Sequence, residues 1–209
     1  MKKLYFAAAL STLALFIPHL TCARTQRWTD YPIQAGNHYS DGGGVVNGAL
    51  HWIGGGPLNI PAQEAQSLQF SFKFGSNASY ISQAPVNQNA INKLWGSSDC
   101  GRSDPTRDSV RVGWHWDPNL QKIELVAYVD FLNQHEYQHL AYVDLEKEYS
   151  AKIALENGDT SHFVFTLDSE RVVMTRHCNH HGIHGYELFP YFGGVEVAPH
   201  RIDISLKRE

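Results

Sequence analysis

His135-Glu136-Tyr137-Gln138-His139 carries the two histidines and the glutamate of a zinc-peptidase signature. That chemistry needs a helix, which brings histidines four apart to within about 6 Å on one face. In an extended strand the same positions lie roughly 13 Å apart, too far to share one ion. The stretch follows an alternating segment, and Ala141-Val143-Leu145 resumes alternation after it. Read as a helix, the face opposite the histidines would hold Gln134, Tyr137, Gln138 and Ala141, which is too polar for a catalytic helix packed inside a domain. The glycine and third histidine of the extended motif are also missing. The expectation is a chance match lying in a hairpin connection, with no catalytic residue and no cofactor assigned.

A second histidine group, "RHCNHHGIH", holds His177, His180, His181 and His184 around Cys178. Imidazoles two or three residues apart in a loop can converge on a metal, so these four are the secondary metal candidates. The preferred reading is a solvated, glycine-broken connection, and a pH-sensitive surface is a further alternative. Other reaction signatures are missing. There is no Gly-x-Ser-x-Gly nucleophile elbow. The glycine-rich "DGGGVVNGALHWIGGG" lacks the Gly-Lys-Ser/Thr ending of a phosphate loop. A glycosidase needs two carboxylates roughly 5 to 10 Å apart. "VDLEKE" offers Asp144, Glu146 and Glu148 on one strand face, read here as a solvated edge.

The elements that must position any site are strands. Leu68, Phe70, Phe72 and Phe74 alternate with polar residues, as do Val110, Val112, Trp114 and Trp116, and then Ile123, Leu125, Ala127 and Val129. Runs at 149–155, 163–167 and 202–206 repeat the pattern. Period two repeated this often predicts antiparallel strands with one buried face. Turn residues agree at Asp117-Pro118-Asn119-Leu120, Asn157-Gly158 and Asp168-Ser169. With residues 117–120 as the loop, Trp116 faces Gln121, Trp114 faces Ile123 and Val112 faces Leu125, so the apolar sides coincide. Residues 76–99 break the alternation and read as a long loop, with a helical turn expected around Asn89 to Leu94. The predicted architecture is all-β: an antiparallel two-sheet sandwich, jelly-roll-like.

The N-terminus carries Lys2-Lys3, an apolar run from Leu4 to Ile17, Pro18, and Thr21-Cys22-Ala23. Charged, apolar and small-residue regions in that order predict a signal peptide over residues 1–23, with a single domain over 24–209. Acylation of Cys22 is the rival, weakened by His19 and Thr21. The protein is expected to be secreted or periplasmic, with no later membrane span. Cys100 and Cys178 remain, read as one disulfide in an oxidising compartment, with two metal-binding thiolates as the alternative. A net charge of −4 without charge blocks argues against nucleic acid as a partner. Aromatic residues make up 12% of the chain, which suits a packed β domain and also a surface that handles sugars.

At "INKLWGSSDC", "SVRVGWHW" and "YELFPYFGGVEVAPHRIDISL" the chain resembles a group of small secreted bacterial proteins of uncharacterised function. The resemblance runs from about residue 75 onward. It implies a compact β-sandwich and transfers no catalytic residues. It also implies a simple hairpin at 133–139.

The predicted hairpin puts Trp114 and Trp116 in the core. It leaves Arg111, His115, Glu124, Tyr128 and Asp130 on the opposite face, which is the predicted ligand-binding set. Tyr128 beside Arg111 and Glu124 would offer an aromatic platform with hydrogen-bond partners of both signs, as sugar hydroxyls need. Trp95, Asp99 and His177 are the reserve positions. The expected function is a binding module for a glycan or another extracellular or cell-surface ligand. A polysaccharide-acting hydrolase or lyase is the alternative, and a structural or interaction protein without a small ligand is a third reading.

Overall fold

A computed structural model describes residues 27–41, 65–102, 104–158 and 160–209. The expected signal peptide, and the glycine-rich segment apart from Asp41, lie outside the described residues. The strands are β1 (Thr29–Asp30), β2 (Ser67–Phe74), β3 (Asn92–Ser98), β4 (Asp108–Asp117), β5 (Lys122–Phe131) and β6 (Gln134–Val143). They continue as β7 (Tyr149–Glu156), β8 (His162–Leu167), β9 (Glu170–Thr175), β10 (Glu187–Leu188) and β11 (Ile204–Arg208). They form two antiparallel sheets, ordered β1-β11-β2-β7-β8-β9 and β10-β3-β4-β5-β6. This is the all-β, two-sheet sandwich that the periodicity predicts. Within it β3 to β6 run as one meander and β7 to β9 as another.

The core lies between the sheets. From one side come Phe70, Phe72, Phe74, Ile153 and Phe165, and from the other Val112, Trp114, Ile123 and Leu125, all at most 1% exposed. Trp116 joins them at 4%. Aromatic edges interlock across the gap: Phe70 meets Trp95 with centroids 4.3 Å apart, and Phe74 meets Trp114 at 5.1 Å. Both tryptophans of β4 are core residues, as expected.

The β4–β5 register differs from the expected one by two residues. Trp116 pairs with Ile123, Trp114 with Leu125 and Val112 with Ala127. The four-residue turn moves by one position to 118–121, with Gln121 at φ 54°, so the ladder ends at Asp117–Lys122. A slip of two keeps every side chain on its predicted face, which is why the face assignment survives.

Three local expectations are corrected. First, the 76–99 stretch is not loop throughout. Its short 3-10 turns lie at Ser76–Ala78 and Pro85–Asn87, and the expected helical turn at 89–94 gives way to β3. All seven β3 residues are buried and a bulge interrupts the pairing between Lys93 and Trp95, so the strand shows no polar alternation. Gly96 is required there, because a Cβ would stand 2.1 Å from the Val110 carbonyl oxygen on β4.

Second, the 135–139 stretch is strand, not connection. The hairpin turn is Leu132-Asn133 alone, with φ of 48° and 64°, a two-residue loop between paired Phe131 and Gln134. Third, Asp144, Glu146 and Glu148 lie in the link from β6 to β7, where Asp144 meets Lys122 at 2.8 Å and Glu148 meets Lys207 at 3.3 Å.

Among the described residues no helix is long and apolar enough to cross a membrane.

Candidate functional site

Strand pairing assembles the predicted face from four adjacent strands. Arg111 pairs with Tyr128 and Tyr128 with Tyr137; His115 pairs with Glu124; Ser109 pairs with Asp130 and Asp130 with His135. Lys93 on β3 stands opposite Gly113, between Arg111 and His115 in the register. A bulge in β6, where Leu125 faces Ala141 but Val126 faces His139, reverses the side-chain alternation within that strand. As a result His135, Tyr137, His139 and Tyr142 all join the outer face, while Ala141 and Val143 turn inward. All five predicted residues, Arg111, His115, Glu124, Tyr128 and Asp130, are thus brought together on one face.

The face is far more buried than an open platform. Tyr128 is 5% exposed, Asp130 6%, His115 7% and Lys93 8%. The expectation that Tyr128 itself offers the open ring is therefore corrected. That part falls to Tyr137, 52% exposed, whose ring stacks over Tyr128 at 6.4 Å between centroids. His135 also stacks on Tyr128, at 5.4 Å.

Two polar groups divide the face. At one end Glu124 receives two imidazoles, with His115 Nε2 at 3.2 Å from Oε2 and His139 Nδ1 at 2.7 Å from Oε1. Burial pushes the His115 pKa down, opposed by the negative charges of Glu124 and Asp117. Its Nδ1 is buried and finds no hydrogen-bond partner among the described residues. In front lies a cleft of about 350 Å³, lined among others by Asn89, His115, Asp117, Asn119, Glu124 and Tyr137.

At the other end Arg111 forms an ion pair with Asp130, which also accepts a 2.8 Å hydrogen bond from the Ser109 hydroxyl. Lys93 Nζ lies 3.9 Å over the Tyr128 ring and donates to the Ile91 carbonyl at 2.7 Å. Burial first, and the Arg111 charge second, lower the Lys93 pKa to about 7 against the pull of Asp130. Burial and then Asp130 raise that of the Tyr128 phenol.

These shifts predict a pH profile of stability. Lys93 binds its proton less tightly folded than unfolded, so stability should rise as pH increases from about 7 toward the free-lysine value of 10.5. Above pH 10 the buried phenols of Tyr80 and Tyr186, raised to about 12, favour the unfolded chain, which ionises more readily, and stability should fall. Urea midpoints measured across this range test both arms. Lys93→Met should remove the rise, and a flat wild-type profile between about pH 7 and 9.5 would contradict it.

The reserve positions serve other ends. Trp95 is buried and its indole Nε1 donates to Glu187 at 2.5 Å. His177 stacks on Phe131 at 3.8 Å, while His180 and His184 stack on each other at 5.7 Å. Among the described residues the 177–184 histidines do not converge as metal ligands.

Asp99 belongs to a buried knot that sequence reading missed. Its carboxylate takes Arg176 Nε at 2.7 Å and Nη2 at 3.0 Å, plus the backbone N–H groups of Cys100 at 2.8 Å and His184 at 3.0 Å. Arg176 also donates to the carbonyls of His180 and Gly182. Cys100 and Cys178 are bonded beside this pair, with Cα atoms 6.3 Å apart, as the cysteine count predicts.

Comparison with known proteins finds no matching family and no matching curated relative. Among solved structures the chain is similar to the crystal structure of Scytalido-glutamic peptidase with a peptide based transition state analog, at 6% identity and a TM-score of 0.31. The match covers 88% of this chain and 65% of that one, so the chain spans less than two thirds of its length. Nothing about the peptidase's chemistry passes to this protein at that likeness. The protein is defined by its own geometry: an all-β two-sheet sandwich with an aromatic, polar cleft on one outer face.

Proposed function

We propose that this chain is an exported binding module that holds a hydroxyl-rich ligand, a glycan by its chemistry, in the cleft on the outer face of the β3–β6 sheet. The cleft carries this reading. It sets the half-exposed Tyr137 ring beside two carboxylates, three amides and His115. A sugar offers an apolar ring face together with hydroxyls that both donate and accept, and this lining meets each need. Export is supported by the tripartite order of residues 1–23 and by a disulfide between the two remaining cysteines.

A glycan array probed with the protein tests the proposal. Tyr137→Ala removes a side chain exposed to solvent and should leave the fold unchanged while weakening glycan retention about tenfold or more. Glu124→Gln should weaken it further, because it removes an acceptor held between two histidines. Retention equal to wild type in both variants, or no glycan retained by the wild type, would overturn the reading.

A further inference from the structure

Charge on the outer face is unbalanced. Lys93 and Arg111 place two cationic groups within reach of one carboxylate, Asp130, and that carboxylate is already engaged by Arg111 and Ser109. The side chains of Arg111 and Asp130 are only 11% and 7% exposed, so water does little to offset the surplus. Arg111 Nε is buried and finds no hydrogen-bond partner among the described residues. Lys93 has the Ile91 carbonyl and the Tyr128 ring, but among the described residues no carboxylate of its own. The other titratable groups facing this pair are Tyr128 from β5, His135 from β6, which stacks on Tyr128, and Tyr186 and Tyr191, both of which feel the Arg111 charge. Buried cations are ordinarily paired, and an orphaned buried donor calls for a partner from outside the chain.

The position of the surplus fits the proposed ligand. Tyr137 lines the cleft, stacks on Tyr128, and so leads to the ring on which Lys93 rests. Across the strands Tyr137, Tyr128 and Arg111 stand in one row, roughly 5 Å per step. Two such steps, roughly 10 Å, separate Tyr137 from Arg111, so a ligand against Tyr137 reaches the cations across Tyr128. At the cleft end the lining holds acids, amides and histidine, with neither lysine nor arginine.

We infer that the ligand is an acidic sugar, its hydroxyls held in the cleft and its carboxylate placed beside Lys93 and Arg111. The carboxylate supplies the missing negative charge and an acceptor for Arg111 Nε. This rests on the glycan-binding reading and narrows it from hydroxylated ligands in general to those carrying an anion.

The test uses the protein labelled at lysine ε-carbons, with Lys93 followed by NMR through a pH titration in the presence of sodium glucuronate, sodium acetate or glucose. In buffer Lys93 should titrate near 7. Glucuronate should move that midpoint upward, acetate less far, and glucose not at all. Calorimetry should show glucuronate binding about tenfold to a hundredfold more tightly than glucose. Lys93→Met should cut that preference severalfold, Arg111 remaining, while leaving the affinity for glucose. If the variant does not fold, the wild-type titration decides alone.

Equal affinity for both sugars with Lys93 unmoved would overturn the inference and leave the glycan reading standing. A Lys93 shift by acetate as large as that by glucuronate, without affinity for either sugar beyond acetate, would overturn both the acidic-sugar assignment and the glycan reading.

Discussion

Arg176→Met should lower the free energy of unfolding by about 3–5 kcal/mol, the cost of leaving a buried carboxylate without its partner. The Arg176 and Asp99 side chains are 1% and 3% exposed, so solvent cannot replace either. The guanidinium grips the carboxylate through two nitrogens and also ties down the His180 and Gly182 carbonyls. Asp99→Leu should cost as much, since it also strips the N–H groups of Cys100 and His184 of their acceptor. The double variant Asp99→Asn/Arg176→Met should recover part of the loss, because an amide oxygen still accepts from those N–H groups while no charge is left buried. Urea unfolding of the four proteins measures this. A loss below about 1 kcal/mol in Arg176→Met would mean the pair is not buried as described.

The second large effect belongs to the Cys100–Cys178 bond. The residues are 78 apart in sequence, and closing a loop of that length stabilises by about 4–5 kcal/mol in the chain-entropy model. The Cys100→Ser/Cys178→Ser variant should therefore unfold at markedly lower urea. The intact protein should be two hydrogens lighter before reduction than after. Because Asp99 holds the Cys100 backbone, the effects of cutting the bond and of removing Arg176 should not add. Two free thiols under non-reducing conditions would remove the basis of this prediction.

Alternating strands are plain in the sequence, and β2, β4 and β7 lie where the alternation places them, although only β7 keeps a wet outer face along its length. β3 was hidden because both of its faces are covered and a bulge breaks its period. The same dual burial explains the site. Residue types on β4 and β5 pointed to a polar outer face, and strand parity located it correctly despite a register two residues out. Their burial could not be read, because it depends on what packs over them. Tyr137 is visible but counts only against a helix; the turn at Leu132-Asn133 sets the register that aims it outward. Lys93 had no signal, being one lysine in a stretch read as loop. Asp99 and Arg176 meet across 77 positions, and no periodicity links residues that far apart.

β11 sits between β1 and β2, paired on both sides, although some 130 residues separate it from β2. Its two neighbours come early from the ribosome and must wait for it. Until Ile204 to Arg208 arrive, β2 has one open flank, with Phe70, Phe72 and Phe74 unsealed along it. Sheet closure by such distant partners is slow, since the intervening chain must be gathered before the pairing rewards it. The polypeptide should therefore stay loosely folded through most of its synthesis, its β2 flank open until the last strand emerges.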